Sequence, residues 1–168
     1  MVGFDRIKQT SACHSGLICL SMICRYYGRH VELATMLSVE DSLQEVSNNA
    51  EKLGLNSIIG YLPLAKLGKV TLPCLLYWDD EYYVVLRKVK RNVYYIADPR
   101  KGFTKCKGTD MKRHWICSCQ DNDEKGAAIF TKPSDEFYRQ AEAQNQLIKE
   151  NHIWRYFKNL LCGKDRIL

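Results

Sequence analysis

Three common functional signatures are missing from this 168-residue sequence. Residues 1–8 contain no apolar h-region, which predicts that the chain carries no secretory signal peptide and stays in the cytosol. No Gly-x-x-x-x-Gly-Lys-Ser/Thr motif occurs, so we expect neither ATP nor any other cofactor in this domain. The aromatic and arginine pattern typical of nucleic-acid-binding proteins is also missing, and we expect no nucleic-acid partner.

The cysteines do not form a disulfide framework or a complete metal motif. The chain has eight of them at irregular spacing, and a cytosolic protein keeps its thiols reduced, so we expect most to be small buried apolar residues. The segment around His114, Cys117 and Cys119 resembles part of a zinc site, but a fourth ligand and a second cysteine pair are missing. We therefore predict no metal centre.

What the sequence does contain is enough apolar material for a core. With 46% hydrophobic residues, it is long enough to bury the core of one domain with a tail. The net charge of +6 is compatible with acidic lipid headgroups or an acidic peptide as partners, although many basic proteins bind neither.

The stretch Gln9–Gly28 is the most informative part of the chain. Its apolar residues recur at helical spacing, which predicts an amphipathic helix of about four turns beginning near Ser15. Ser15 has two interpretations. It is an N-cap that satisfies free amides of the first turn, or it occupies the position of a nucleophile, where the helix terminus stabilises negative charge.

The order of the remaining elements predicts an α+β fold. Asp41 or Ser42 is expected to cap a helix that Gly54 ends, and a short helix is expected at residues 31–38. Strands are expected at 55–61, 72–78, 81–90, 92–97 and 127–131, with hairpin turns at Asp79-Asp80 and Arg91-Asn92. Helices followed by consecutive antiparallel strands indicate an α+β domain rather than alternating βαβ units.

Two segments resemble the N-terminal cysteine-peptidase domain of bacteriocin-processing ABC transporters, the double-glycine leader peptidases. That pattern places a Gln six residues before a Cys-Gly pair, as Gln9 precedes Ser15, and ends the helix in Tyr-Tyr-Gly. In a second segment, a Trp precedes a His-containing strand, and the next strand ends in Asp-Pro, as Asp98 does here. The resemblance implies a papain-like fold with N-terminal helices packed on an antiparallel sheet.

Two departures from that pattern fall on the catalytic positions. Ser15 stands at the Cys position, and Tyr82 stands at the His position, four residues after Trp78. The resemblance gives Asp98 the role of the acid that orients the His, and Gln9 the role of oxyanion donor. A phenol with a pKa of about 10 is neutral at pH 7 and is a poor base for a serine. A shifted loop that presents Cys13 is the remaining route to activity.

The resemblance implies that a groove binds the helical leader of the cargo. Four aromatic side chains are candidates for this groove or for the core, and the sequence does not separate the two: Tyr26, Tyr27, Tyr83 and Trp115. We therefore expect a peptidase-like domain that binds a peptide or protein cargo, or its leader, for export. Two alternatives stay open: an active leader peptidase, and a structural or regulatory domain that contacts the nucleotide-binding domains of the transporter.

The end of the chain differs from the rest. We expect a peptidase-like domain at residues 1–137, and a polar linker and basic amphipathic segment at 138–168. This segment is typical of one that lies on a membrane surface, although it also fits a helix that packs on its own domain. In the resembled transporters it leads into a transmembrane domain, and ATP binds elsewhere. The expected location is the cytoplasmic side of a bacterial cytoplasmic membrane.

Overall fold

The computed structural model describes residues 14–32, 41–116 and 124–146. Its helices are α1 (Ser15–Tyr26), α2 (Leu43–Lys52), a 3-10 helix (Leu64–Lys69), α3 (Gly108–Trp115) and a last helix, α4, at residues 135–146. Its strands are β1 (Leu55–Pro63), β2 (Cys74–Trp78), β3 (Tyr82–Lys90), β4 (Val93–Asp98), β5 (Gly102–Lys107) and β6 (Lys125–Pro133). None of the described helices is long and apolar enough to cross a membrane.

The six strands form one antiparallel sheet in the order β1-β6-β2-β3-β4-β5. This arrangement confirms the predicted α+β class. The β2-β3 and β3-β4 turns are the predicted ones: Asp79, Asp80, Arg91 and Asn92 all have positive φ angles. Asp and Asn tolerate this conformation better than most residues, and two consecutive positive φ angles are typical of tight hairpin turns.

Helix α1 lies at the centre of the core on one face of the sheet. Residues Ser15 to Cys24 are buried without interruption. The helix is therefore covered on all sides, whereas the sequence pattern had predicted an amphipathic helix. It packs on β2 and β3 and against α2. Leu20, Ile23 and Val85 belong to this first core, which fixes the position of the α1 N-terminus over the start of β3.

A second core covers the opposite face of the sheet under α3. Trp115 is buried there, and its indole N–H donates a 2.8 Å hydrogen bond to the Ala127 carbonyl oxygen. A Cβ atom at Gly126 would overlap the Trp115 ring, so only glycine lets the indole lie against β6. Tyr82, Trp78 and Leu86 belong to this second core.

Helix α4 packs on the domain. Phe137 is fully buried, and its backbone lies against Gly54, which has the positive φ of 78° expected at the end of α2. Ser134 donates from its hydroxyl to the Gly54 carbonyl oxygen and accepts from the Phe137 N–H. The expected domain boundary after residue 137 therefore falls inside a helix whose first turns are part of the core.

Two elements were absent from the sequence prediction, and one expected helix is only partly described. Strand β5 and helix α3 were not expected. β5 is an edge strand with lysines on its exposed side, and α3 presents only Met111 and Trp115 as apolar residues, so each has a weak hydrophobic pattern. In the helix expected at 31–38, Val31 and Glu32 are not helical, and residues 33–38 lie outside the described part.

Candidate functional site

Ser15 is the first residue of α1, and its side chain is fully buried. The N-cap position belongs to His14, whose side chain makes no capping hydrogen bond, so Ser15 is not the cap. The Ser15 hydroxyl donates a 2.7 Å hydrogen bond to the Asp41 carboxylate and accepts a 3.0 Å hydrogen bond from the Tyr83 N–H. Both hydrogen-bonding directions of this hydroxyl are therefore in use within the protein.

The Asp41 carboxylate takes over the capping of α1. Besides the Ser15 hydroxyl, it accepts the Gly16 N–H at 3.1 Å to each of its oxygens. A negative charge at this helix end is favoured because the first-turn amides are unpaired and the helix dipole is positive there. A Cβ atom at position 16 would overlap both Asp41 and Val46, which explains why glycine follows Ser15. Ser42, the other predicted cap, caps α2 by accepting the Glu45 N–H at 3.2 Å.

Tyr82 and Asp98 form a buried pair on neighbouring strands, as the sequence positions required. The Tyr82 hydroxyl donates a 3.0 Å hydrogen bond to one Asp98 oxygen. The other Asp98 oxygen accepts the N–H groups of Arg100 and Lys101, at 2.7 and 3.1 Å. Arg100 also lies 3.9 Å above the Tyr82 ring and pairs with Glu81 at 3.2 Å, which closes the pair off from solvent.

The electrostatics keep the Tyr82 phenol neutral. Burial, followed by the Asp98 charge and its hydrogen bond, raises the pKa of Tyr82 well above its ordinary value, and the nearby Arg100 only partly offsets this. A neutral phenol that donates to a carboxylate is not available as a proton acceptor at neutral pH. At neutral pH the Tyr82 phenol is therefore a hydrogen-bond donor to Asp98 and not a base.

The nucleophile position and the Tyr82-Asp98 pair belong to the two different cores. Tyr83 lies in the core under α1, where its N–H contacts Ser15, whereas Tyr82 lies in the core on the other face of the sheet. Neighbouring residues of a strand point to opposite faces, which accounts for this separation. Among the described residues, no hydrogen bond joins Ser15 to Tyr82, and no histidine bonds to either.

Two of the described histidines are engaged in contacts, and three of the described cysteines are buried. His114 pairs with Asp79 at 2.6 Å, His30 contacts Arg25, and no group of ligands suited to a metal occurs there. Burial raises the pKa of the Cys24 and Cys74 thiols to about 12, and that of Cys19 is also raised, so these thiols are unreactive. Four cysteines lie outside the described residues, as does Gln9: Cys13, Cys117, Cys119 and Cys162.

The four aromatic candidates for a peptide groove fall in different places. Tyr83 and Trp115 are each 1% exposed and belong to the cores, so neither presents a surface to a bound peptide. The Tyr83 hydroxyl instead donates a 2.9 Å hydrogen bond to the Asp41 carbonyl oxygen. Tyr26 and Tyr27 lie at the far end of α1, about 16 Å along the helix from Ser15, beside Phe137.

A nearer aromatic surface was missed by the sequence analysis. On the α1 face of the sheet, the Tyr77 ring packs against the Tyr83 ring in a tilted arrangement, with ring centroids 5.2 Å apart. Tyr61 pairs with Ala127 on β6, and the β2-β6 register places Tyr77 on the other side of the same alanine. Tyr61 is 58% exposed. Alternation in β1 and β2 was the available signal, but it did not indicate which strands become neighbours.

Comparison with known proteins identifies the group of proteins to which this arrangement belongs. The family model described as the peptidase C39 family matches residues 4–124, which is more than half of the chain. The chain belongs to the peptidase C39 family. The double-glycine peptidase resemblance and the papain-like fold are thereby confirmed.

Curated relatives within this family are much longer than the chain. It is 33% identical over 168 aligned residues to the colicin V secretion/processing ATP-binding protein CvaB of Escherichia coli, covering 96% of the chain and 22% of the relative. It is 32% identical over 142 residues to the probable microcin-H47 secretion/processing ATP-binding protein MchF of Escherichia coli, covering 81% of the chain and 19% of the relative. The chain thus spans about a fifth of these relatives.

Solved structures of the C39 family have the same fold. A double-glycine motif protease from an AMS/PCAT transporter, in complex with the leader peptide, superposes with a TM-score of 0.68 at 26% identity, covering 79% of this chain and 94% of that one. The peptidase domain of Streptococcus ComA, a bi-functional ABC transporter, superposes with a TM-score of 0.66 at 17% identity, covering 79% of this chain and all of that one. The second likeness concerns the fold alone.

Proposed function

We propose that this C39 domain is a catalytically inactive leader-peptidase-like domain that binds the leader of an exported peptide or protein without cutting it. Its relatives include bacteriocin secretion/processing proteins, and a similar solved domain was crystallised with a leader peptide. In this proposal the chain is part of an ABC transporter. ATP and the membrane-spanning helices belong to other parts of that transporter, and the domain works on the cytoplasmic side.

The observation that carries the loss of activity is the environment of the Ser15 hydroxyl. It is buried, donates to Asp41 and accepts from the Tyr83 N–H, so it is closed off from solvent and no imidazole base among the described residues contacts it. A serine nucleophile needs such a base to lose its proton during attack. Loss of a triad nucleophile or base lowers the rate by about a million-fold, and here both positions are changed.

Leader binding does not require those groups, and the surface formed by Tyr61 and Tyr77 supports it. Both side chains lie on the α1 face, and the row that they form across β1, β6 and β2 leads to Tyr83 beside Ser15. Ala127, between them, is a small buried residue, so the two tyrosines are the large side chains of this row. An apolar face of a helical leader fits such a surface in the way that amphipathic helices fit hydrophobic grooves.

The experiment is a titration of the purified chain with a fluorescent double-glycine leader peptide encoded beside its own gene. We expect saturable binding that weakens about tenfold in Tyr61→Ala and in Tyr77→Ala, since buried aromatic anchors dominate such interfaces. Ile58→Ala is the matched control, because Ile58 is 70% exposed on the same edge strand but points to the opposite face. Equal affinity in all four proteins would exclude this surface as the leader site.

The same titration separates the two other candidate roles. Cleavage of the leader by the parent chain would indicate an active peptidase that uses Ser15 or Cys13. An absence of any leader affinity, together with altered ATP turnover when the domain is deleted from the whole transporter, would indicate a regulatory domain. Cleavage that appears only in the Ser15→Cys, Tyr82→His double variant would support the positions assigned to nucleophile and base.

A further inference from the structure

The positive charge of this protein is concentrated in one short part of the chain. Residues 87–107 contain eight Lys and Arg residues and a single acid, Asp98. The whole chain has 25 basic and 19 acidic residues, so all other residues together carry one more acid than base. Asp98 is buried and accepts a hydrogen bond from Tyr82, so its carboxylate forms no exposed ion pair with the lysines.

Three of these eight cations, Lys88, Lys90 and Lys105, share one face of β3, β4 and β5. The strand register places Lys88 opposite Tyr95, and Tyr95 opposite Lys105, in one row across the three strands. Lys90 lies two residues beyond Lys88, and Phe103 lies two before Lys105, so both share this face. We call the surface formed by Lys88, Lys90, Tyr95, Phe103 and Lys105 the basic face.

The basic face begins where the core under α1 ends. Val85 and Ala97 lie in that core. Further along the same face Tyr95 is partly buried, the three lysines are exposed, and Phe103 has 48% of its surface open to solvent. Lys88 and Lys90 form no ion pair with any described residue. The exposed lysines and the Phe103 ring therefore form one positively charged surface.

We propose that the basic face binds an anionic lipid surface. Lysines near a negatively charged membrane attract its headgroup phosphates, and exposed aromatic rings are favoured at the level of the headgroups. Because the three lysines share one face of the sheet, they can approach an anionic surface from the same side. Relatives in this family include ABC transporters, and a domain of such a transporter lies near a membrane. The inference does not depend on leader binding.

The aromatic rings favour lipid over single-stranded nucleic acid. Proteins that bind single strands use open ring faces on which bases stack. Here the Arg87 guanidinium lies 4.6 Å above the Phe103 ring, and the Lys105 ammonium lies 5.6 Å from the Tyr95 ring centre. Cations of the protein itself therefore occupy the positions that bases would take, while their charge remains directed towards an anionic surface.

The test is co-sedimentation of the full 168-residue chain with phosphatidylcholine vesicles that contain phosphatidylglycerol, beside vesicles of phosphatidylcholine alone. The basic-face variant is Lys88→Gln, Lys90→Gln, Lys105→Gln. The matched control is Lys66→Gln, Lys69→Gln, Lys132→Gln, which removes the same charge from exposed lysines outside the basic face. We expect partitioning to anionic vesicles to fall about 100-fold in the basic-face variant, because each lysine near such a surface contributes about fivefold.

Three results would overturn the proposal. Equal binding of the parent and the basic-face variant would assign lipid contact to another part of the chain, such as the basic segment after residue 146. An equal loss in the control variant would make net charge the only cause. Tighter binding to single-stranded DNA or to polyglutamate than to the anionic vesicles would indicate a different class of partner. Leader affinity is measured on the same variants. If the leader still binds while lipid binding fails, only the basic-face proposal is wrong.

Discussion

The Ser15 hydroxyl donates a 2.7 Å hydrogen bond to the carboxylate of Asp41, which therefore sits at the N-terminus of the central helix. An active cysteine or serine peptidase uses such a helix end to stabilise the negative charge of its nucleophile or intermediate. In this protein a carboxylate of the chain itself already occupies it. This contact links the first turn of α1 to the residues just before α2.

Removal of the Asp41 carboxylate is expected to destabilise the fold. Asp41→Ala leaves the buried Ser15 hydroxyl and the Gly16 N–H without their acceptor, so we expect the free energy of unfolding to fall by about 2 kcal/mol. Asp41→Asn keeps one acceptor oxygen and is expected to lose less. Urea unfolding measures both, with exposed Glu142→Ala as the control, expected within about 0.5 kcal/mol of the parent. An Asp41→Ala protein as stable as the parent would show that these bonds contribute nothing.

Asp41 is also expected to suppress the reactivity of a thiol placed at the nucleophile position. In Ser15→Cys, the neighbouring carboxylate disfavours the thiolate and raises its pKa, while burial restricts access to it. Adding Asp41→Asn should therefore speed alkylation of the introduced thiol at least threefold, a change of about half a pKa unit. Iodoacetamide labelling, read on the peptide that contains position 15, measures the rate. Identical rates in the two variants would contradict an electrostatic role for Asp41.

The amount of the fold that could be predicted depends on the hydrophobic pattern of each element. Helix α1 and strands β2, β3 and β4 have continuous apolar runs, and their predicted bounds agree with the structure to within two residues. Strand β5 was missed because it is an edge strand that alternates lysine with Phe103, Thr104 and Cys106. The hairpin turns were predictable because Asp and Asn at the turn positions tolerate positive φ angles.

Contacts in the candidate site were predictable only between residues on elements that the sequence already predicted to be neighbours. Tyr82 and Asp98 lie on adjacent predicted strands and do form a pair. Asp41 was expected only as a cap for α2, since its contact with Ser15 bridges 26 residues, and helix signals are local. The sequence did not separate groove from core for Trp115. In the structure it is buried, and its ring lies against Gly126 on β6, a contact that the pattern of α3 does not show.

Alkaline pH is expected to destabilise the protein partly through Tyr82. Its pKa is raised in the folded state by burial and by Asp98, so the folded state holds the proton more tightly than the unfolded chain does. This contribution is complete below the ordinary tyrosine pKa of about 10 and is lost as the pH rises above it. Tyr82→Phe should cost about 1 kcal/mol at neutral pH, but its stability should decline less steeply above about pH 10. Parallel declines in urea unfolding would contradict the raised pKa.

The close contact between Gly126 and Trp115 predicts a strong effect of a single methyl group. Gly126→Ala places its Cβ against the indole ring, which is itself fixed by the bond to the Ala127 carbonyl oxygen. We expect the free energy of unfolding to fall by about 1–3 kcal/mol, with a change in tryptophan fluorescence. Gly68→Ala is the control, because its Cβ would meet Val89 at an ordinary 3.7 Å. Equal melting temperatures for the two variants would exclude a tight contact at Trp115.

The central claim is that this C39 domain binds a leader without cutting it, and incubation with a double-glycine leader peptide tests it most directly. Mass spectrometry would follow the peptide over hours at a concentration where the titration shows the domain to be saturated, with Ser15→Ala beside the parent. The account predicts that the leader stays intact with both proteins. Cleavage after the double glycine by the parent, abolished in Ser15→Ala, would contradict it.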